Sequence, residues 1–277
     1  MCQLIKLFSL ALLLTLPAQP FAAGPNPEAL ETIRGFQYDT ALRASQDAID
    51  TTPADYPLTD HTGKALSLSD FRGKPLVLSL IYTSCFHICP MTTRHLHKVV
   101  EKAREALGTD AFSVAVLGFD AQNDHPREMA YFAKKQGIED AGWSLLSADP
   151  DTINALTKDL GFVFFASPNG FDHVVQATVI DADGKIYRQV YGEVFDTPLL
   201  VEPLKELVLG RPKPNQDFLS TLVDKVRFFC TTYDPNSDGY RFDYSLFIGI
   251  LIGALIILSG VVFIVRELYK GKRLRSA

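Results

Sequence analysis

The chain has few cysteines, and their number and placement limit the kinds of protein that it can be. Only 4 of its 277 residues are cysteine. Cys2 lies within residues 1–23, which we interpret as a removable signal peptide, so the mature protein keeps Cys85, Cys89 and Cys230. An odd number of thiols in an exported protein argues against a simple disulfide scaffold. At least one thiol is therefore free, bound to metal or paired with another molecule.

Two segments lack charged residues almost completely, and they set the expected topology. Residues 1–23 hold one charge, Lys6, and an apolar run before small residues, as in a secretory signal peptide; the alternative is a retained N-terminal anchor. Residues 244–265 hold no charge and are long enough for one transmembrane helix. The tail, residues 266–277, has five basic residues against one acid, which predicts a cytoplasmic location. We expect a single-pass inner-membrane protein with its functional domain in the periplasm.

The chain also lacks an excess of basic residues outside its two ends. Its net charge is −5, of which Lys6 contributes +1 and the predicted cytoplasmic tail +4, so residues 24–265 carry −10. An acidic exported body argues against nucleic acid as a partner. The body contains no internal repeat or low-complexity tract, and its length suits one domain with a substantial core.

The order of predicted elements indicates an α/β domain. We predict a hairpin over 56–68, strands over 76–82, 111–119 and 143–146, helices over 90–107, 127–136 and 150–160, paired strands over 174–181 and 185–191, and a last helix over 198–209. This order is that of a thioredoxin-like fold with a mixed central sheet. The predicted segments are a signal peptide (1–23), an N-terminal arm (24–54), the thioredoxin-like domain (55–209), a linker (210–243), a transmembrane helix (244–265) and a basic tail (266–277).

The chemistry of the chain concentrates in Tyr82-Thr-Ser-Cys-Phe-His-Ile-Cys-Pro90, at a predicted strand-to-helix junction. Cys85 and Cys89 follow a central strand, and open α/β sheets place ligands beyond the carboxyl ends of their strands. The partial positive charge of a helix N-terminus favours thiolate over thiol. Such thiolates either bind soft metals or exchange disulfides, and their position alone leaves both functions open.

Of the six histidines, His173 has the predicted position that best suits a third ligand. It opens an apolar strand after the loop that faces the cysteine loop, whereas His95 and His97 lie on different faces of one helix. Two thiolates and one imidazole suit Cu(I), which accepts three ligands, while zinc would require a fourth. Asp172 is a candidate outer-shell partner of His173, or it simply ends the loop. His87, between the cysteines, is a geometrically awkward alternative ligand.

Several motifs resemble those of the SCO/SenC copper chaperones, which assist assembly of the CuA centre of cytochrome c oxidase. The resemblance covers about residues 55–209 and rests on Leu58-Thr-Asp-His-Thr-Gly63, Phe71-Arg-Gly-Lys-Pro75, Ile81-Tyr-Thr-Ser-Cys85, Cys89-Pro90, Phe119-Asp120 and Asp172-His173. It implies a thioredoxin-like fold, copper held by Cys85, Cys89 and His173, and as partner the copper-site subunit of the oxidase or another exported copper protein. Many members carry an acid between the cysteines, where this chain has Phe86-His-Ile88, and many are anchored by an N-terminal helix.

The alternative function is that of a thiol–disulfide oxidoreductase acting on protein cysteines of the oxidase or another exported partner, with Cys85 and Cys89 as the redox pair. Three residues separate these cysteines, not the two of thioredoxin-type enzymes, and no proline directly precedes the strand at Val174. A peroxidase and a purely structural disulfide fit less well. We therefore expect a copper metallochaperone rather than an enzyme. Gly249 and Gly253 form a GxxxG motif in the predicted span, which leaves a homodimer open.

Overall fold

The computed structural model describes residues 36–139, 142–210, 226, 230–235 and 237–275. The predicted signal peptide, and the predicted N-terminal arm up to residue 35, lie outside these residues. From Tyr38 onward the described residues belong to one compact unit. That unit begins with helix α1 (Tyr38–Asp47), in which Ser45 is fully buried and its hydroxyl lies 3.0 Å from that of Tyr191. This part of the predicted arm is therefore packed onto the domain.

A seven-stranded sheet forms the centre of the domain. The strands of the chain are β1 (Pro57–Asp60), β2 (Ala65–Ser67), β3 (Leu76–Ile81), β4 (Ser113–Gly118), β5 (Ser144–Ser147), β6 (Phe164–Ser167), β7 (Gly170–His173), β8 (Gln176–Ile180), β9 (Ile186–Tyr191), β10 (Thr231–Asp234) and β11 (Gly239–Phe242). The central sheet has the order β2-β1-β5-β4-β3-β8-β9. Strands β3, β4 and β5 are parallel, whereas β1 and β8 join them antiparallel. This arrangement confirms the predicted mixed sheet.

Strand β3 lies within the sheet and points its carboxyl end at the cysteine loop. All six of its residues are buried, as expected for a strand that is covered on both faces. The helices that accompany the sheet are α2 (Ile88–Leu107), α3 (Pro126–Gln136), α4 (Pro150–Asp159) and α5 (Thr197–Lys205), the last continuing as a π-helical turn over Glu206–Gly210. Asp149 caps α4 by accepting hydrogen bonds from the N–H groups of Asp151 and Thr152, as its position before Pro150 predicts.

Two local predictions near the cysteine loop were wrong in detail. Helix α2 begins at Ile88, two residues before Pro90, because proline is tolerated throughout the first helical turn, where its missing N–H has no partner to lose. The predicted loop over 167–172, which was to lead into a strand opened by His173, instead belongs to a separate hairpin of β6 and β7. His173 is therefore the last residue of β7 and does not open β8.

Part of the predicted linker is folded onto the domain. Strands β10 and β11 pair antiparallel, and β11 packs against α2. Between the strands, Asp238 forms an ion pair with Lys102 of α2 and accepts hydrogen bonds of 2.8 Å from the hydroxyls of Thr197 and Tyr233. This hairpin therefore connects the domain to the helix that follows it.

Helix α6 (Ser245–Arg275) contains the predicted span and continues through most of the predicted basic tail. Within the described part of the chain, its segment Phe247–Ile264 is the one stretch long and apolar enough to cross a membrane, judged by length and composition. None of that segment is buried against the protein, and its exposed side chains include Ile250, Leu251, Ile257 and Phe263. A soluble core helix would bury such a surface.

Candidate metal centre

The cysteine loop joins the carboxyl end of β3 to the start of α2. Cys85 is half-buried in the loop, and Cys89, 3% exposed, is the second residue of the helix. Both thiols are free of disulfide bonds. The backbone N–H of Cys89 donates a hydrogen bond of 3.3 Å to Cys85 Sγ. The amides at the helix start therefore face the sulfur of Cys85, as the sequence predicts.

The two sulfurs differ in their protonation. The hydrogen bond from the Cys89 side chain, joined by the backbone N–H groups of Cys89 and His87, lowers the pKa of Cys85 to about 4. The same side-chain hydrogen bond and burial raise the pKa of Cys89. The pair therefore shares one proton at neutral pH, with Cys85 as the thiolate and Cys89 as the thiol that donates to it.

Tyr82 lies between the cysteine loop and the hairpin that carries His173. Burial, followed by the hydrogen bond to the Cys85 side chain, raises the pKa of the Tyr82 phenol to about 12, so its hydroxyl is a proton donor at neutral pH. The ring centroid of Tyr82 is 6.3 Å from that of His173. A Cβ atom at Gly170, where φ is +120°, would lie 2.6 Å from the Tyr82 hydroxyl oxygen. Glycine at this position lets the hairpin approach Tyr82 closely.

A buried carboxylate also supports the cysteine loop. Asp124, 1% exposed, accepts hydrogen bonds from the N–H of Thr83 (2.8 Å), the Thr83 hydroxyl (2.6 Å) and the N–H of Asp120 (2.9 Å). Burial raises the pKa of Asp124 to about 6, although these hydrogen bonds oppose the change. The main chain two residues before Cys85 is thereby tied to the loop that follows β4.

The His173 side chain is oriented by the main chain. Its Nδ1 lies 3.0 Å from the carbonyl oxygen of Val174, and because that oxygen can only accept, Nδ1 carries the proton and Nε2 keeps its lone pair. Burial lowers the pKa of His173, so the imidazole is neutral at pH 7. A carbonyl that fixes the tautomer in this way is a common arrangement behind metal-binding histidines.

Aromatic rings surround the imidazole. The ring centroid of His173 lies 5.2 Å from that of Phe162 and 5.3 Å from that of Phe119. Phe119 also contacts four other rings, with centroid distances of 4.9–5.4 Å, namely Tyr82, Phe162, Phe164 and Phe171. We call Tyr82, Phe119, Phe162, Phe164 and Phe171 the aromatic cluster. These ring contacts restrict the position of the imidazole.

The structure brings the two cysteines together and places His173 beyond Tyr82. Over the described ranges, no three His, Cys, Asp or Glu side chains are grouped closely enough to hold a metal ion. His173 nevertheless lies near enough to Cys85 for the thiolate charge to raise its pKa, against the larger effect of burial. A three-ligand site would therefore form by an approach of His173 towards a sulfur pair that is already in place.

The other candidate residues have separate positions. The Asp172 side chain is exposed, and the Val174 carbonyl rather than this carboxylate orients His173. His87 is exposed at the start of α2. The remaining two, His95 and His97, contact different partners, as predicted: Nε2 of His95 hydrogen bonds to the main chain of Phe195, and the ring of His97 packs on Trp143.

Sequence reasoning missed the residues that support the ligands rather than the ligands themselves. Tyr82, Phe162 and Asp124 carried no assigned role. The hairpin of β6 and β7 did have a local signal, because Pro168-Asn169 before Gly170 is a two-residue turn between apolar segments. Recognising this turn would have placed His173 on a hairpin.

The donor set suits a soft ion. It offers one thiolate, one thiol that can lose its proton, and a neutral imidazole with a free Nε2 lone pair. Sulfur ligands favour Cu(I) and zinc over magnesium and calcium, which prefer oxygen. The same sulfur pair, with one low-pKa thiolate, also has the properties of a reactive redox pair.

Comparison with known proteins identifies the family. A sequence model of the SCO1/SenC family matches residues 44–209, more than half of the chain, and the chain belongs to this family. The SCO1 protein homolog of Bacillus subtilis is 25% identical over 149 residues, covering 52% of this chain and 75% of that protein. The protein sco1 of Schizosaccharomyces pombe is 23% identical over 167 residues, covering 57% of this chain and 61% of that protein.

Solved structures agree with the fold. A protein of Aquifex aeolicus VF5, described as a candidate electron transfer protein, is 30% identical with a TM-score of 0.54, covering 61% of this chain and 98% of that one. Yeast Sco1 with copper bound is 16% identical with a TM-score of 0.51, covering 61% of this chain and 96% of that one. The second likeness concerns the fold alone.

Proposed function

We propose that this chain is a membrane-anchored periplasmic copper chaperone whose cargo is one Cu(I) ion bound by Cys85, Cys89 and His173. The observation that carries the proposal is the pairing of a Cys85 thiolate with the Cys89 thiol, with a neutral imidazole whose Nε2 lone pair is free on the other side of Tyr82. Membership of the SCO1/SenC family supports copper as the ion.

Each ligand has a distinct part in the proposed binding. Cys85 is already a thiolate and offers the first sulfur, in the more accessible position of the two. Cys89 gives up its proton when it binds, because the thiolate is the form that binds metal. His173 needs no deprotonation. Binding at pH 7 therefore releases about one proton for each ion.

The proposed recipient is the copper-site subunit of cytochrome c oxidase during assembly of the CuA centre. The choice of this recipient rests on the resemblance of the sequence motifs to those of the SCO/SenC family, which implies a role in CuA assembly. Another exported copper protein that presents sulfur ligands would satisfy the same chemistry.

A second function is favoured by the same sulfur pair. A thiolate of low pKa next to a protonated, buried thiol is the arrangement of a disulfide exchange protein, in which the first attacks and the second resolves the mixed disulfide. The three-residue spacing and the family favour the copper function. The amount of copper that the purified protein retains distinguishes the chaperone from the disulfide exchange protein.

We predict that the reduced full chain, purified in detergent, retains one copper ion per molecule after incubation with Cu(I) and dialysis against a weak chelator. Elemental analysis gives the ratio, and a pH indicator at neutral pH should show release of about one proton per ion. A chain that retains no copper while Cys85 and Cys89 still form a reversible disulfide would assign it to the oxidoreductases.

We also predict one membrane crossing through α6, with residues 55–209 in the periplasm and the C-terminus in the cytoplasm. Basic residues flank the span at its carboxyl end, and such residues favour the cytoplasmic side. A reporter that is active only in the cytoplasm, fused after Ala277, should be active, and one that needs export should not. The reverse pattern would contradict this orientation and place the sulfur pair in a reducing compartment.

A further inference from the structure

An open cleft of about 870 Å³ lies beside Cys85, outside the proposed ligand set. It runs from the cysteine loop along α3. Its lining includes Cys85, Phe86, Arg127, Glu128, Tyr131 and Lys135. Neither Cys89 nor His173 lines it. The cleft therefore leads to the sulfur pair from the Cys85 side.

This side is the accessible approach to the sulfur pair. Cys89 is 3% exposed, and Tyr82, which hydrogen bonds to Cys85, is 7% exposed and packs against the hairpin of β6 and β7. Cu(I) binds sulfur ligands strongly, so it leaves a thiolate site only when an incoming ligand has begun to bind it. An incoming sulfur ligand therefore has to enter beside Cys85.

The cleft has the composition of a protein-binding surface. Phe86 is 87% exposed and Tyr131 68% exposed, and both are aromatic side chains of the kind enriched at protein interfaces.

The charge of the cleft selects the partner. Arg127 and Lys135 are exposed on α3 and outnumber the single acid of the lining, Glu128. This local excess of positive charge contrasts with the charge of the body. The whole chain carries −5, and Lys6 and the tail together carry +5, so residues 24–265 carry −10. A segment with acidic residues is therefore attracted to this cleft and repelled by the rest of the body.

We propose that the cleft binds an acidic, cysteine-bearing segment of the protein that receives copper. This inference rests on the proposed chaperone function and names the chemistry of its partner. The aromatic residues Phe86 and Tyr131 hold the segment, Arg127 and Lys135 attract its acids, and its cysteines lie beside Cys85.

The transfer is a ligand exchange that conserves charge and electrons. A partner pair that holds one thiolate and one thiol forms two sulfur–copper bonds as the bonds from copper to Cys85 and Cys89 break. The partner thiol gives its proton to Cys89, Cys85 remains a thiolate, and His173 leaves as a neutral imidazole. Copper stays Cu(I), so no oxidant or reductant is required.

The binding test uses the reduced, copper-free full chain in detergent and a labelled peptide that carries two cysteines flanked by glutamates. Fluorescence anisotropy should show binding that falls by roughly tenfold in the double variant Arg127→Glu/Lys135→Glu. The matched control is Lys98→Glu/Lys158→Glu, which makes the same charge change at two exposed lysines outside the cleft and should leave binding unchanged. Because no copper is present, this result is independent of the proposed cargo.

The transfer test follows copper from the loaded chain to the same peptide. The cleft variant should transfer roughly tenfold more slowly, whereas a small Cu(I) chelator should remove copper from variant and wild type at equal rates. Equal peptide binding by the cleft variant and the wild type would overturn the proposal, and so would equal binding of a lysine-flanked peptide. A change in oligomeric state of the cleft variant would identify a second copy of this chain as the occupant and would also overturn it.

Discussion

Replacing either Cys85 or Cys89 with serine is expected to abolish stoichiometric copper binding. Each substitution removes half of the sulfur ligation, and a serine hydroxyl is a poor ligand for Cu(I). His173→Ala should weaken binding by more than roughly tenfold, since one of three ligands is lost, yet Cys85 and Cys89 should still form a disulfide. Competition with a Cu(I) chelator measures all three affinities, and circular dichroism shows whether each variant keeps the fold.

Two substitutions act as controls for these ligand variants. His87→Ala removes the exposed imidazole between the cysteines, and Cys230→Ser removes the one remaining thiol of the predicted mature chain. Both should retain one copper ion per molecule. Unchanged copper affinity in His173→Ala would exclude His173 as a ligand. Loss of copper in His87→Ala would identify His87 as the third ligand instead.

The elements of the domain could be predicted because their signals are local. The run of apolar residues in β3, the cap-and-proline pair Asp149-Pro150 before α4 and the turn of Asp181-Ala-Asp-Gly184 between β8 and β9 each act within a few residues. Their order along the chain was enough to indicate the mixed sheet. Boundaries were less well determined, as the earlier start of α2 shows.

The surroundings of the site could not be predicted because they depend on contacts between distant residues. Asp124 reaches Thr83 across 41 positions of the chain. Phe119 and His173 meet only because the hairpin of β6 and β7 lies over the end of the sheet. Sequence patterns show that such side chains are apolar or acidic, but the fold determines which of them touch.

The hairpin of β10 and β11 illustrates the same limit within a segment that we had predicted as a linker. Asp238-Gly239 is a turn signal of short range, so the hairpin itself was within reach of sequence analysis. Its attachment to the domain was not, because the ion pair of Asp238 is made with Lys102, 136 positions earlier. Composition alone therefore predicted a linker, whereas the hairpin within this segment packs against the domain.

Truncation of Phe119 is expected to have the largest effect on stability near the site. The side chain is 1% exposed and is in contact with all the other rings of the aromatic cluster and with His173. Phe119→Ala should lower the free energy of unfolding by about 3–5 kcal/mol, from lost burial and the cavity that remains. Such a loss is a large part of the stability of a domain and could unfold the protein. The milder Phe119→Leu keeps the protein folded, so that its copper affinity can be measured.

Phe119→Leu retains most of the buried apolar volume but loses the ring that packs against the imidazole. We expect copper affinity to fall by roughly tenfold, because the position of His173 becomes less restricted before copper binds. Phe112→Leu is the matched control: Phe112 is 2% exposed in the same core, and it is not part of the aromatic cluster. Chemical denaturation should show similar losses of stability in the two variants, while chelator competition should show weaker copper binding only for Phe119→Leu. Equal copper affinities at equal stability would show that the aromatic cluster serves the core alone. An equal fall in both variants would show that affinity follows overall stability, and the ring contacts with His173 would then have no separate part in holding the ligand.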